Sequence, residues 1–376
     1  VATRDLLEGR ERPGAPRVAE VAPGEAGGDE ALASLAGSLQ PGPEALERVG
    51  RAEEAIRAAV AAVFEGSRLD CFGSAVNGFA TSASDLDCVV ALRQGAEGGG
   101  SLSEVPAQGE DPAEGEKFAE EEDGRGSAKL RAKDSVKVLA DAIRTDERLG
   151  GLGLEVVELV TTARVPLLKC RSRDGIDIDV SFNNRLPLYN SRLFKAYSEI
   201  DERVPQLGRL VKHWAKSRGV NDALQGTLSS YSHTLMVIHY LQHVGIVPNL
   251  QDKALAEGAP DADSCTELLD GCHDVWFFDG VRPQAPADWL SRPTANLHCL
   301  LAGFFRYWAY EFPVQPEVAS VRLPTGRVAK RDYFAAMVAS RVAAHADPDG
   351  SPSAAAGSPL ADADLDHDAE GEGAAV

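Results

Sequence analysis

The stretch from Cys71 to Val90, Cys-Phe-Gly-Ser-Ala-Val-Asn-Gly-Phe-Ala-Thr-Ser-Ala-Ser-Asp-Leu-Asp-Cys-Val-Val, constrains the fold more than any other part of the chain. A short apolar run breaks at Gly73-Ser74, and a second run, Asp85 to Leu92, alternates as a strand does. Strand side chains repeat every two residues, so Asp85 and Asp87 take one face while Leu86, Cys88 and Val90 take the other. Two neighbouring carboxylates repel each other, and a divalent cation is the usual remedy. A second alternating run, Gly175-Ile-Asp-Ile-Asp-Val-Ser-Phe-Asn-Asn184, carries Asp177 and Asp179. One carboxylate from that run would complete a site for two divalent ions that promotes in-line phosphoryl displacement. Asp-Leu-Asp alone reads as a solvated turn. The Gly-Ser turn upstream and the second carboxylate strand downstream give it chemistry.

The flanking pattern sorts into an α+β chain of two domains. Arg68–Phe72 is a strand feeding the Gly73-Ser74 turn, and a helix N-terminus after that turn would aim free N–H groups and the Ser74 hydroxyl at a phosphate. Helical periodicity returns near Ser135–Ile143, followed by strands over Glu155–Val160 and Val165–Arg171. The catalytic domain is assigned to residues 67–185. Beyond it, Leu188–Asp201, Arg203–Arg218, Leu228–Val244 and Thr294–Phe312 carry helical spacing, giving a mostly helical domain over 186–334. Leu297, Leu300, Leu301, Phe304, Phe305 and Trp308 form a stripe that reads as core. A helix over 43–66 is expected to pack on this second domain.

Net charge is −20, yet it lies in three segments: −3 over 1–40, −9 over 97–123 and −8 over 346–376. These segments are rich in Gly, Ala, Pro and acidic residues, which cannot bury enough apolar surface to fold. Residues 1–42 are expected to be a disordered leader, 94–126 a disordered acidic insert and 335–376 a low-complexity acidic tail. The insert would tune access of a polyanion by repulsion. No run approaches a membrane-spanning helix, and Val-Ala-Thr-Arg-Asp-Leu-Leu-Glu is no signal peptide. Six scattered cysteines read as reduced, packed thiols, which fits a cytoplasmic or nuclear compartment.

Arg209, Lys212 and Lys216 lie at i, i+3 and i+7 on one helix face, a spacing equally compatible with a solvated basic face. His239 and His243 stand at i, i+4, but no cysteine or carboxylate matches a zinc spacing, so they read as helix-surface residues.

Five ordered motifs resemble one family. Gly73-Ser74-x-x-x-Gly78 followed by Ser84-Asp-Leu-Asp87 resembles the signature of DNA polymerase β-like nucleotidyltransferases. Asp179-Val-Ser-Phe-Asn-Asn184, Leu210-Val-Lys-His-Trp-Ala-Lys216, Gly226-Thr-Leu-Ser-Ser-Tyr231 and Gly303-Phe-Phe-Arg-Tyr-Trp-Ala-Tyr-Glu-Phe312 look like terminal uridylyltransferases and cytoplasmic poly(A) polymerases. The resemblance covers about Pro43 to Lys330. It implies a mixed-sheet catalytic domain and a helical PAP-associated domain with a cleft between them. It implies extension of an RNA 3′ end from a ribonucleoside triphosphate, UTP favoured and ATP as the alternative; a catalytically silent relative that binds RNA or protein is the second alternative. Asp85, Asp87 and Asp179 would hold Mg2+ or Mn2+, with Asp177 as a bystander. Gly73, Ser74, Lys212, Lys216 and Ser230 would hold the triphosphate. Asn190 and Ser191 would contact ribose and base, and Tyr231 would stack on the base. An RNA-binding accessory protein would supply target choice. After Lys330 this sequence shows no counterpart of the Ile-Glu-Asp-Pro-Phe-like segment that reads the base in the family.

Overall fold

The computed structural model describes residues 26–92, 124–252, 268–269, 273–279 and 294–343. The strand alternation of the carboxylate stretches is realised in a five-stranded sheet of order β1-β2-β5-β4-β3. Its strands are β1 (Arg68–Phe72), β2 (Leu86–Ala91), β3 (Leu154–Val160), β4 (Leu167–Ser172) and β5 (Asp177–Phe182). β2 and β5 run parallel, and the other neighbours are antiparallel. One face is apolar. Leu69, Leu86, Cys88, Val90, Leu168, Cys170, Ile178 and Val180 are all 3% exposed or less and pack beneath α2 (Pro43–Val63) and α3 (Gly124–Thr145).

This packing corrects the expectation for α2. Ala52, Ile56, Ala59 and Val60 recur at helical spacing and enter the core of the catalytic sheet rather than the second domain. The α3 helix also begins at Gly124, inside the segment expected to be insert. Insert residues 94–123 lie outside the described residues.

The helical domain gathers α5 (Leu186–Ile200), α6 (Arg203–Ser217), α7 (Ser230–His243) and α8 (Leu297–Arg306) around a second apolar core. Leu297, Leu300 and Phe304 are buried there, as the stripe predicts. The stripe then passes into a π-helical turn, Tyr307–Glu311, whose Tyr307 is also buried. Phe79, from the loop after the Gly73-Ser74 turn, is a member of this second core and ties the two halves together. Gly208 makes the tie possible: a Cβ there would stand 2.4 Å from the Phe79 ring.

Two low-complexity segments contribute helices. The leader contains α1 (Ala26–Ser38), whose Ala36 is fully buried against the helical core and whose Asp29 carboxylate caps the His298 N–H at 2.9 Å. Residues 1–25 lie outside the described residues. The tail begins with α9 (Lys330–Ala343), which follows a short hairpin of Glu317–Ala319 and Arg327–Ala329; residues 344–376 lie outside. The histidines are also corrected. His239 is 4% exposed and meets the Tyr307 hydroxyl at 2.9 Å, and His233 is equally buried against the Ser229 carbonyl. Burial lowers the His239 pKa to about 4.

Candidate active site

The second face of the sheet carries the charges. Register places Asp87 directly beside Asp179 on the parallel neighbour, and Phe72, just before Gly73, opposite Asp87. Asp85 lies one residue before β2, at the mouth of the same face. Burial raises the Asp87 pKa to about 7, reinforced by Asp179 and Asp85. The Asp85 pKa is likewise raised, by burial and then by Asp179 and Asp177. Lys212, Lys169 and Lys216 pull these values down and only partly offset the rise.

Gly73 closes one side of the cluster. Its φ is +73°, and a Cβ would stand 2.1 Å from Asp87 Oδ2, so both the backbone and the carboxylate require glycine here. The turn after it is a single 3-10 turn, Gly73–Ala75, in place of the expected α-helix; the Val76 and Asn77 N–H groups return to the Gly73 carbonyl. Ser74 remains half-buried, with a hydroxyl that has no hydrogen-bond partner among the described residues. The Gly73 N–H is taken by Ser191 Oγ at 2.8 Å, and that hydroxyl donates onward to the Pro187 carbonyl at 2.8 Å. Ser191 is therefore a bracket between α5 and the turn. Asn190 beside it carries a carboxamide with no partner among the described residues.

The basic face of α6 divides by depth. Arg209 is 6% exposed and donates to the Ala36 and Gly78 carbonyls at 3.2 Å, so it is structural. Lys212 reaches the Phe79 carbonyl at 3.0 Å, and burial lowers its pKa to about 8 against the opposing pull of Asp87 and Asp85. Lys216 is exposed, and its charge acts on Asp85. Together the two lysines line the approach to the carboxylates, one at depth and one at the rim.

Ser230 and Tyr231 open α7, where the Ser229 hydroxyl caps the helix by accepting from the Ser232 N–H. Tyr231 is 46% exposed and stacks on Phe194 with centroids 5.2 Å apart and planes at 21°. One ring face is thus held and the other is open to a base.

One residue escaped sequence reasoning. Lys169 on β4 pairs in register with Asp179, and its Nζ lies 3.1 Å from Asp179 Oδ2. Its alternation with the inward Leu168 and Cys170 puts it on the carboxylate face, a signal visible only once the strand neighbours are known. Asp177, by contrast, is paired with Arg171 at 2.7 Å on the sheet rim.

Among the described residues, no three His, Cys, Asp or Glu side chains already converge as a closed metal cage. The donor set nonetheless fits Mg2+ or Mn2+: hard carboxylate oxygens on the adjacent strands β2 and β5, with Asp85 at their mouth.

Residues 29–199 match the family described as poly(A) RNA polymerase, mitochondrial-like, central palm domain. The chain is 31% identical over 269 residues to terminal uridylyltransferase 7 of Homo sapiens, covering 69% of this chain and 15% of that protein. It is 36% identical over 179 residues to terminal uridylyltransferase cid1 of Schizosaccharomyces pombe, covering 45% and 41%. This chain is a homologue of the terminal uridylyltransferases and GLD2 poly(A) polymerases. The GLD2 poly(A) RNA polymerase of Danio rerio is 29% identical over 284 residues, covering 74% and 48%. The chain therefore spans less than half the length of these relatives. The fold of this homologue matches that of the Cid1 poly(U) polymerase with MgGTP bound, with a TM-score of 0.63, 25% identity and 82% of each chain covered. It also matches Cid1 in complex with its short product ApU, with a TM-score of 0.60. No helix among the described residues is long and apolar enough to cross a membrane.

Proposed function

We propose that this protein adds ribonucleotides to RNA 3′ ends without a template, using UTP best and ATP as a weaker alternative. The observation that carries this reading is the pairing of Asp87 with Asp179 under a glycine turn that tolerates no side chain. The RNA 3′-hydroxyl oxygen attacks the α-phosphorus of the triphosphate, and the bond to the bridging oxygen breaks to release pyrophosphate. Asp179, 3.1 Å from Lys169 Nζ, orients the attacking hydroxyl and receives its proton. Lys212 and Lys216 meet the triphosphate as compact charges, and Ser74 and Ser230 add hydroxyl donors. Magnesium bound by Asp85, Asp87 and Asp179 would neutralise the phosphates and acidify the hydroxyl. Tyr231 supplies the stacking face for the base, a contact worth roughly 1–3 kcal/mol. A cytoplasmic compartment is proposed with it, in keeping with Cys71, Cys88 and Cys170, which form no disulfide.

Incubating the purified chain with end-labelled RNA, Mg2+ and each nucleoside triphosphate in turn tests the reading. Ladders with UTP, and shorter ones with ATP, are expected. Failure to extend RNA with any of the four would overturn it.

A further inference from the structure

One cavity of about 310 Å³ is lined on one side by α5, within the usual ligand-pocket range of roughly 300–1,000 Å³. Tyr189, Asn190, Leu193, Gln251, Asp274 and Arg322 line it. Its place is fixed by Asn190. The next residue, Ser191, holds Gly73, and Gly73 abuts Asp87. One helical turn further along α5, Phe194 carries the Tyr231 ring. The cavity therefore shares α5 with the residues that hold the turn at the proposed phosphate-transfer centre and the ring of the proposed stacking platform.

Two carboxamides face this space, Asn190 and Gln251, and neither side chain has a hydrogen-bond partner among the described residues. Gln251 is held firmly by its backbone. Its N–H donates to Asn249 Oδ1 at 3.0 Å, and the Leu250 N–H donates to the Tyr197 hydroxyl at 3.0 Å. Asn249 is itself fixed by donating to the Arg322 carbonyl at 2.7 Å. The Arg322 guanidinium in turn grips the carbonyl and carboxylate of Asp274, so the far wall is a closed polar frame. A rigid backbone carrying a free amide is the form that hydrogen-bond recognition takes when ordering costs are met in advance.

Building on the nucleotidyl-transfer reading, we propose that Gln251 is a specificity-determining residue whose carboxamide reads the hydrogen-bonding edge of the incoming base. Against uracil, the amide oxygen accepts from N3–H while the amide nitrogen donates to O4. Turned over, the same amide donates to adenine N1 and accepts from its exocyclic amine. One side chain therefore serves both bases, so ATP is not strictly excluded. A carboxylate at this position only accepts, so it loses uracil O4 and matches guanine, whose N1–H and amine both donate.

Calorimetry with non-hydrolysable UTP and GTP analogues, on wild type, Gln251→Leu and Gln251→Glu, tests the assignment. Gln251→Leu should weaken UTP-analogue binding roughly tenfold or more, the loss of two hydrogen bonds. Gln251→Glu should weaken the UTP analogue and strengthen the GTP analogue relative to wild type. Inhibition of extension by tripolyphosphate, which lacks a base, should stay unchanged, as should melting temperature. In turnover assays the loss should fall on KM for UTP more than on kcat. The proposal is overturned if both variants keep the wild-type UTP-to-GTP ratio, or if tripolyphosphate inhibition falls in step with nucleotide binding. A wild type that binds the UTP analogue through Gln251 but extends no RNA would instead refute the tailing reaction and leave this assignment standing. Absence of nucleotide binding by the wild type would refute both.

Discussion

The two faces of the five-stranded sheet are built from the same strands by the same alternation, yet burial works in opposite directions on them. On the helix-covered face, Leu86, Ile178 and Leu168 are removed from water and each side chain contributes stability, about 1.5–3 kcal/mol by area. On the other face, Asp87 is half-buried beside Asp85 and Asp179, and its pKa climbs to about 7. Lys212, the deep cation across the cleft, drops to about 8 through its own burial. The first face makes the protein stable. The second keeps charge in a place where charge costs free energy, and a bound cation and polyphosphate would recover that cost.

Ile178→Ala should destabilise by about 2–5 kcal/mol, because the surrounding core cannot collapse onto the lost volume. Chemical denaturation at fixed pH reads this directly, and a loss below about 1 kcal/mol would mean that the face is not tightly packed.

On the charged face the sign reverses. With metal chelated, Asp87→Asn should raise stability by an amount on the order of 2 kcal/mol at pH 7.5. The native pKa of about 7 lies above the ordinary 3.8, so between those values the folded state holds more protons and wild-type stability falls as pH rises. The advantage of Asp87→Asn should therefore grow from pH 4 to 7 and level off beyond. His239 opposes this trend in wild type. Its pKa is lowered from 6.5 to about 4, so the unfolded state takes up protons first and stability is lost as pH falls through that window. Paired melting curves of the two proteins across pH 4–8 separate the contributions; a flat difference would remove Asp87 from the buried cluster.

Much of this contrast was legible from period-two alternation alone. Asp87 and Asp179 could be placed on one face because Leu86, Cys88, Ile178 and Val180 had to take the other. Lys169 could not, since a lone lysine in Leu-Leu-Lys-Cys-Arg acquires its partner only through strand order. Sequence shows the Ser191 hydroxyl but not the Gly73 N–H that donates to it. The α1 helix was hidden by composition: its Gly- and Ala-rich sequence has little apolar drive of its own, and Ala36 is buried only because α6 and α8 are there to cover it. Leu46 and Val49 suggested a helix, but not which domain would receive it.

The smallest effect is expected at the rim. Asp177→Asn breaks an exposed pair with Arg171 and should change stability by less than about 0.5 kcal/mol and RNA extension hardly at all. An effect on extension matching that at Asp179 would show that the cluster reaches further along β5 than the pairing implies.

Single-turnover extension of labelled RNA by UTP, comparing wild type with Asp87→Ala at saturating Mg2+ and nucleotide, tests the central claim most directly. Asp87→Ala should melt no lower than wild type and extend RNA at least about 10³-fold more slowly, as expected when a group that stabilises transition-state charge is removed. Extension by Asp87→Ala within tenfold of wild type would contradict the assignment of this face as the catalytic centre.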